Sequence, residues 1–360
     1  MPAISGQRIL VRGVNWLGDA VMTTPALLRL RESSPSAHIT LLTHAKLRDL
    51  WRGHPAIDAV ETFDASDKAW SVGRRLRAGN FDLGLMLPNS PRAALELWLA
   101  RIPQRIGHAR PWRNWLLTSA IPERPGAMPM HKRSVEEIQR LVQTGGAPAR
   151  PPATAHHIFQ YLHLVAALGA SAEPLLPQLT VPENAMVEFT KKFKLTDATC
   201  FGLNAGAEYG PAKRWPEERF AEAAIQIQAA TKCRWLVFGL KNESEMAARI
   251  AAKIPDALNL AGATSLGELC TALKLCRVLL TNDSGPMHVA AALGTPVVVP
   301  FGSTSPELTG PGLPGDARHQ LLRTGAPCSP CFLRECPIDF RCMTGITVDA
   351  VVRAVLKVVG

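Results

Sequence analysis

The residues best suited to chemistry fall in two strand–turn–helix segments, far apart in a chain of 360 residues. In the first, the apolar run Ile9-Leu10-Val11-Arg12 gives way to Gly13-Val14-Asn15-Trp16-Leu17-Gly18-Asp19, followed by a helical apolar pattern that reaches Leu30. In the second, Leu279-Leu280-Thr281 meets Asn282-Asp283-Ser284-Gly285, and Pro286-Met287-His288 opens a helix expected to run to Leu293. Proline at the first helical position gives up an amide that has no helical partner there, while the amides around Ser284, Gly285 and Met287 lie at the positive end of a helix dipole. Such a turn suits an anion, and a diphosphate in particular. His288 adds a donor one turn in. Asp283 is placed to meet a nucleotide or its sugar, although aspartate in such a position also serves simply to form the turn. Asp19 follows a glycine at a helix start, where an aspartate also reads as a helix N-cap.

Three further loops follow predicted strands and are expected to line the same pocket as Asp283 to His288: Asn204-Ala205-Gly206-Ala207, Lys213-Arg214-Trp215-Pro216 and Phe301-Gly302-Ser303-Thr304. The C-terminal strand ends of an open α/β sheet are where ligands bind, so the Gly206 amide and the Lys213 ammonium are expected to meet phosphates there. Glu243, just past a strand that ends at Gly239, is placed to accept hydrogen bonds from a ribose.

These loops need elements to hold them, and the chain supplies a parallel-sheet rhythm. Strands near 39–42, 60 and 83–87 alternate with helices near 45–51, 68–78 and 93–100, and the pattern restarts with strands at 201–204, 235–239, 278–281 and 297–299. Residues 122–152, rich in Pro, Gly and Arg, read as a long loop or exposed insertion, and Pro174, Pro177 and Pro182 punctuate a linker. The expected organisation is α/β: a Rossmann-like doubly wound domain over 1–178, a second over 179–345, the two facing a central cleft, and a terminal helix in 346–360 returning to the first domain.

Composition narrows the class. At 47% hydrophobic the chain can bury two cores, and no run of eighteen apolar residues suggests a membrane span. Arg8, Arg12 and Asp19 stand where a signal peptide would need its apolar stretch, so a cytoplasmic location is expected. The net charge of +10 calls for an acidic partner. Much of the excess lies in Arg101, Arg105, Arg110, Arg113, Arg124, Lys132 and Arg133, interleaved with Trp98, Trp112 and Trp115, a pairing suited to an anionic membrane surface or a phosphorylated amphiphile. No nucleic-acid motif or recognition pattern accompanies it, so nucleic acid is not an expected partner. Cys200, Cys233, Cys270 and Cys276 sit in apolar segments and read as core. Cys328, Cys331, Cys336 and Cys342 are crowded; they offer either a structural zinc site or four free thiols in a reducing compartment.

Taken together, Arg12 to Asp19, Asn204 to Pro216 and Asn282 to Gly302 resemble the lipopolysaccharide heptosyltransferases of glycosyltransferase family 9. Arg12-Gly13-x-Asn15-Trp16-Leu17-Gly18-Asp19 and Cys328-x-x-Cys331 most resemble the members that add the second inner-core heptose. The resemblance implies a GT-B fold and an inverting single displacement from ADP-L-glycero-D-manno-heptose to the first heptose of the inner core, without a required metal. It implies Asp19 as general base, with Lys213 and His288 stabilising the departing ADP. Donor contacts are then expected from Asn204, Gly206, Lys213, Glu243, Asp283, Ser284, Gly285, Met287 and His288, and acceptor contacts from Arg12, Asn15, Trp16, Arg110 and Arg113. A monomer, peripheral on the inner face of the inner membrane, is the expected form. Transfer to Kdo-lipid A, use of another nucleotide sugar, and a non-catalytic nucleotide-binding protein remain the alternatives.

Overall fold

The computed structural model describes residues 8–147, 150–196 and 198–360, so the first seven residues of the expected N-terminal domain lie outside it. The chain divides into two units, one of residues 1–127 and 157–180, the other of 128–156 and 181–360. In the first, β1 (Arg8–Arg12), β2 (His38–His44), β3 (Ala59–Phe63), β4 (Leu83–Met86), β5 (Gln104–His108) and β6 (Ser119–Ile121) form a parallel sheet ordered β3-β2-β1-β4-β5-β6. Beyond the exposed Arg8, its central strands are buried because both faces are covered, which is why Ile9-Leu10-Val11 and Leu83–Met86 read as apolar runs rather than alternations. Leu10, Leu42 and Met86 point to one face, against Val72 and Leu76 of the helix Ala69–Leu76, Leu97 of the helix Pro91–Leu99, and Leu116 of the 3₁₀ turn Asn114–Leu116.

The second unit repeats the plan. β7 (Cys200–Asn204), β8 (Arg234–Phe238), β9 (Leu258–Asn259), β10 (Leu279–Thr281), β11 (Val297–Pro300) and β12 (Gln320–Leu322) are ordered β12-β11-β10-β7-β8-β9, again all parallel. Its core includes Trp215 and Trp235, both fully buried, whose indole N–H groups donate to the carbonyls of Ile346 and Ala224, each at 3.0 Å. In both sheets the strand order reverses beside the first strand of the unit, between β1 and β4 and between β7 and β10. Loops diverge at such a point and leave a crevice at the carboxyl edge. The segments after β1, β7 and β10 are the ones singled out by their chemistry.

Three expectations are corrected. The helix that was to run unbroken to Leu30 is two helices, Leu17–Met22 and Thr24–Ser33, because Pro25 lacks an amide to continue the ladder and starts a new helix instead. Residues 122–152 are not all loop: Val135–Thr144 is a helix capped by Ser134, and it buries Ile138 in the core of the second unit. The terminal helix Val348–Val359 belongs to the second unit too, packing Val351, Ala354 and Val355 into that core beside the helix Glu217–Thr231. An apolar stripe is satisfied by the nearest matching surface.

Among the described residues five imidazoles are buried, those of His54, His108, His156, His288 and His319. Desolvation brings His54, His108, His288 and His319 each down to about 4. An unfolded chain takes up protons on such groups from about pH 6.5 downward, whereas the folded protein does so only near 4. Their contribution to stability is therefore complete above pH 6.5 and is lost as the pH falls from 6.5 towards 4, by about 1–2 kcal/mol for each group at pH 5. The urea midpoint is expected to be clearly lower at pH 5 than at pH 7; equal midpoints would show that these rings titrate alike in both states.

Candidate active site

The strand β10 ends in a buried polar turn, and the helix Gly285–Ala292 follows with Pro286 in its first turn. Asn282, fully buried, clamps this turn to its neighbours: its Oδ1 accepts from the Trp215 amide at 3.0 Å and its Nδ2 donates to the Ala205 carbonyl at 2.7 Å. The Asn204 Nδ2 donates to the Gly206 carbonyl and the Ser284 hydroxyl, each at 3.2 Å. The loops after β7 and β10 and the segment bearing Lys213 are thus one hydrogen-bonded piece.

Within it Asp283, 4% exposed, accepts from the Thr304 hydroxyl at 2.5 Å and pairs with the Lys213 ammonium at 2.7 Å. Lys213 also stands 4.9 Å over the Tyr209 ring. A lysine held this way keeps its charge fixed near the helix start rather than sweeping through solvent. His288, in the first turn, is buried; desolvation lowers it to about 4, against the opposing pull of Asp283, so the ring is neutral at physiological pH. Glu243 follows β8, is buried, and accepts from the Leu240 amide at 2.9 Å. Gly206 faces it so closely that an added Cβ would lie 2.2 Å from Glu243 Oε2, so only glycine admits this carboxylate.

The first unit holds the other group. Asp19 lies in the first turn of the helix Leu17–Met22 and is half-buried; the N-cap is Trp16, so the carboxylate does not serve as the cap. The Tyr161 hydroxyl, from the helix Ile158–Ala166, hydrogen-bonds to Asp19. Burial first, and then the Asp19 charge and this bond, raise the phenol well above its ordinary value and keep it a neutral donor. Arg12 fixes the preceding loop from below: it is 1% exposed, pairs with Glu96 at 2.8 Å, donates to Asn15 Oδ1 at 3.1 Å and lies 4.1 Å over the Phe63 ring. Asn15 and Trp16 are exposed.

The chain as a whole matches a known family. The profile of Glycosyltransferase family 9 (heptosyltransferase) matches residues 69–340. The chain belongs to this family. It is 32% identical to the Lipopolysaccharide heptosyltransferase 2 of Salmonella typhimurium, over 88% of this chain and 89% of that protein. Among solved structures it is similar to the E. coli ADP-heptose LPS heptosyltransferase II, with a TM-score of 0.77, 27% identity and 98% of each chain covered. It is also similar to the glycosyltransferase family 9 protein of Veillonella parvula, with a TM-score of 0.79 and 25% identity over 99% of this chain and 98% of that one. Its two parallel sheets are those of the GT-B fold.

Several expected site residues of this heptosyltransferase lie elsewhere than foreseen. Arg113 is fully buried, donating to the carbonyls of Pro88 and His108, each at 2.7 Å, and to Asn89 Oδ1 at 3.1 Å; burial, chiefly, lowers it to about 10. Like Arg12, it shapes a loop rather than presenting its charge. Arg110 pairs with Glu123 at 2.7 Å. The Met287 side chain is in the core and its amide donates to the Ser284 carbonyl at 3.1 Å. Among the described residues no group of three or more His, Cys, Asp or Glu is arranged to hold a metal ion, the four crowded cysteines included. Burial raises the thiols of Cys328, Cys331 and Cys342, the last to about 12.

The cysteine-rich loop of the heptosyltransferase has a mechanical part instead. The amides of Cys331 and Phe332 donate to the Ser303 carbonyl at 3.1 and 2.7 Å, the Tyr209 hydroxyl donates to the Phe332 carbonyl at 2.7 Å, and the Ala212 amide to the Arg334 carbonyl at 2.9 Å. It therefore braces both Thr304 and Lys213. Sequence reasoning left Tyr161, Tyr209 and Asn282 out of the site, and only Asn282 carried a local signal, its place in the turn.

Proposed function

We propose that this protein transfers heptose from ADP-L-glycero-D-manno-heptose to the first heptose of the lipopolysaccharide inner core. The observation that carries the reading is the Lys213–Asp283–Thr304 arrangement beside the N-terminus of the helix Gly285–Ala292, a fixed positive charge where a diphosphate would lie. The donor class and a lipopolysaccharide acceptor are supported by the names of the relatives in Salmonella and E. coli. The acceptor hydroxyl oxygen attacks the anomeric carbon as Asp19 takes its proton; the bond from that carbon to the phosphate oxygen breaks, and ADP leaves with the electron pair, so the configuration inverts. The leaving diphosphate gains its stabilisation from Lys213, from a neutral His288 acting as hydrogen-bond donor, and from the amides at the helix start, with no metal ion needed. Glu243 takes the ribose hydroxyls. Asn15, Trp16 and the half-buried Arg110 are the acceptor-side contacts that remain available, and the enzyme works peripherally on the cytoplasmic face of an anionic membrane. No helix among the described residues is long and apolar enough to cross one.

The test is ADP release from ADP-heptose with two acceptors, Kdo-lipid A alone and the same acceptor bearing one heptose. Release with the second only supports the reading. Release with the first moves the protein to the preceding step, and silence with both removes the donor assignment.

Tyr161 tests the base assignment from a second direction. A neutral donor on a carboxylate orients it and favours its charged form. Tyr161→Phe is expected to lower kcat by about tenfold and to move the acid limb of the pH–rate profile upward, with ADP affinity unchanged. A tenfold fall with no movement of that limb would mean that Tyr161 only supports packing.

A further inference from the structure

The helical layer over one face of the first sheet is apolar inside and carries indoles outside. The helices Ala69–Leu76 and Pro91–Leu99 cross closely at Gly73, where an added Cβ would come within 2.5 Å of Leu99 Cβ, and Arg77 Nε donates to the Leu99 carbonyl at 2.9 Å. Leu116 and Leu117 share a core with Leu97, which sets residues 112–117 beside the second helix. Outward from this layer Trp70, Trp98, Trp112 and Trp115 are 57, 47, 56 and 71% exposed. Arg74, Arg75, Arg77 and Arg101 are exposed on the same segments. The one carboxylate that residues 69–79, 91–101 and 112–117 carry, Glu96, is fully buried and is held by Arg12 and Arg92, each at 2.8 Å.

Indoles are costly to leave in water and are most at home where an apolar body meets a wet edge, as at the headgroup level of a bilayer. Several on one layer, among arginines and with the one carboxylate of these segments buried, match an anionic lipid surface in both polarity and charge. We propose that this layer is the face by which the protein docks on an anionic bilayer, indoles in the headgroup region and arginines on lipid phosphates. The proposal rests on the peripheral-membrane part of the reading above and is independent of the transfer chemistry.

The experiment is co-sedimentation of the full chain with vesicles of phosphatidylethanolamine and phosphatidylglycerol, or of phosphatidylcholine alone, none containing the acceptor. The wild-type protein is expected to pellet with the anionic vesicles, less so as salt rises, and to stay in solution with phosphatidylcholine. Trp98→Ser with Trp115→Ser should weaken binding at least tenfold, and Arg74→Ala with Arg77→Ala by about fivefold per residue, turnover on a delipidated acceptor being unchanged. Absence of wild-type binding would overturn the membrane reading as a whole. Binding that survives both variants would overturn this face alone. A wild-type dimer broken by the tryptophan substitutions would make the layer an interface between copies, and preferential capture of a single-stranded oligonucleotide would make it a nucleic-acid surface; either result overturns the proposal.

Discussion

Asp19→Asn is expected to lower kcat by about three orders of magnitude while ADP affinity stays within a factor of about two. The substitution keeps size, and it keeps an oxygen that can accept from Tyr161, so the loop geometry after β1 is preserved. What it removes is the ability to take a proton. A base acts only as the hydroxyl attacks, so kcat and kcat/KM should fall together. Loss of the negative charge in the first turn costs the short helix Leu17–Met22 only about 0.3–1 kcal/mol, too little to unfold the unit. Titration calorimetry with ADP beside steady-state rates decides the matter: an affinity that falls in step with turnover would place Asp19 in donor binding instead.

Lys213→Ala should lower kcat/KM by about 10²–10³ and weaken ADP binding as well, because a fixed cation on the diphosphate acts in both the ground state and the transition state. It also leaves the buried Asp283 with its charge unpaired, and breaking a buried pair from one side is destabilising by about 3–5 kcal/mol. Activity loss alone would therefore not identify the role. The double variant Lys213→Ala with Asp283→Asn removes the orphaned charge; it is expected to regain the melting temperature and not the turnover. If turnover returned together with the melting temperature, the lysine's only task would be to neutralise Asp283.

What was legible in the sequence was local. The segments after β1, β7 and β10 announce themselves because strand, glycine turn and helix start follow one another within about fifteen residues, and the parallel order of both sheets follows from that rhythm. Tyr161 could not be found in this way, since its contact with Asp19 joins residues far apart in the chain and a tyrosine on an apolar helix face ordinarily reads as core. The burial of Arg12 and Arg113 is not legible for the converse reason: a guanidinium buried on carbonyls and a guanidinium waiting for a phosphate have the same letter and the same neighbours. The helix Val135–Thr144 was hidden by composition, its spacing of Val135, Ile138 and Val142 being diluted by the prolines and glycines on either side. β5 and β6 carry too little pattern to read: polar residues interrupt Gln104–His108, and Ser119–Ile121 is only three residues long.

The chain leaves the first unit at residue 127, gives residues 128–156 to the second, and returns for 157–180 before leaving again. Neither unit is therefore an uninterrupted piece of polypeptide, and a ribosome delivers their parts out of order. The first unit has all of its sequence once residue 180 is out, but Ile138 must wait for the strands and helices that bury it, and the Arg133 amide must wait for the Cys331 carbonyl it donates to at 3.1 Å. During that interval an amphipathic helix stands beside a folded neighbour with nothing of its own to cover it. A gene divided after residue 180 would leave this helix in the wrong fragment, so the two halves of this transferase should be separable only if residues 128–156 travel with the C-terminal part.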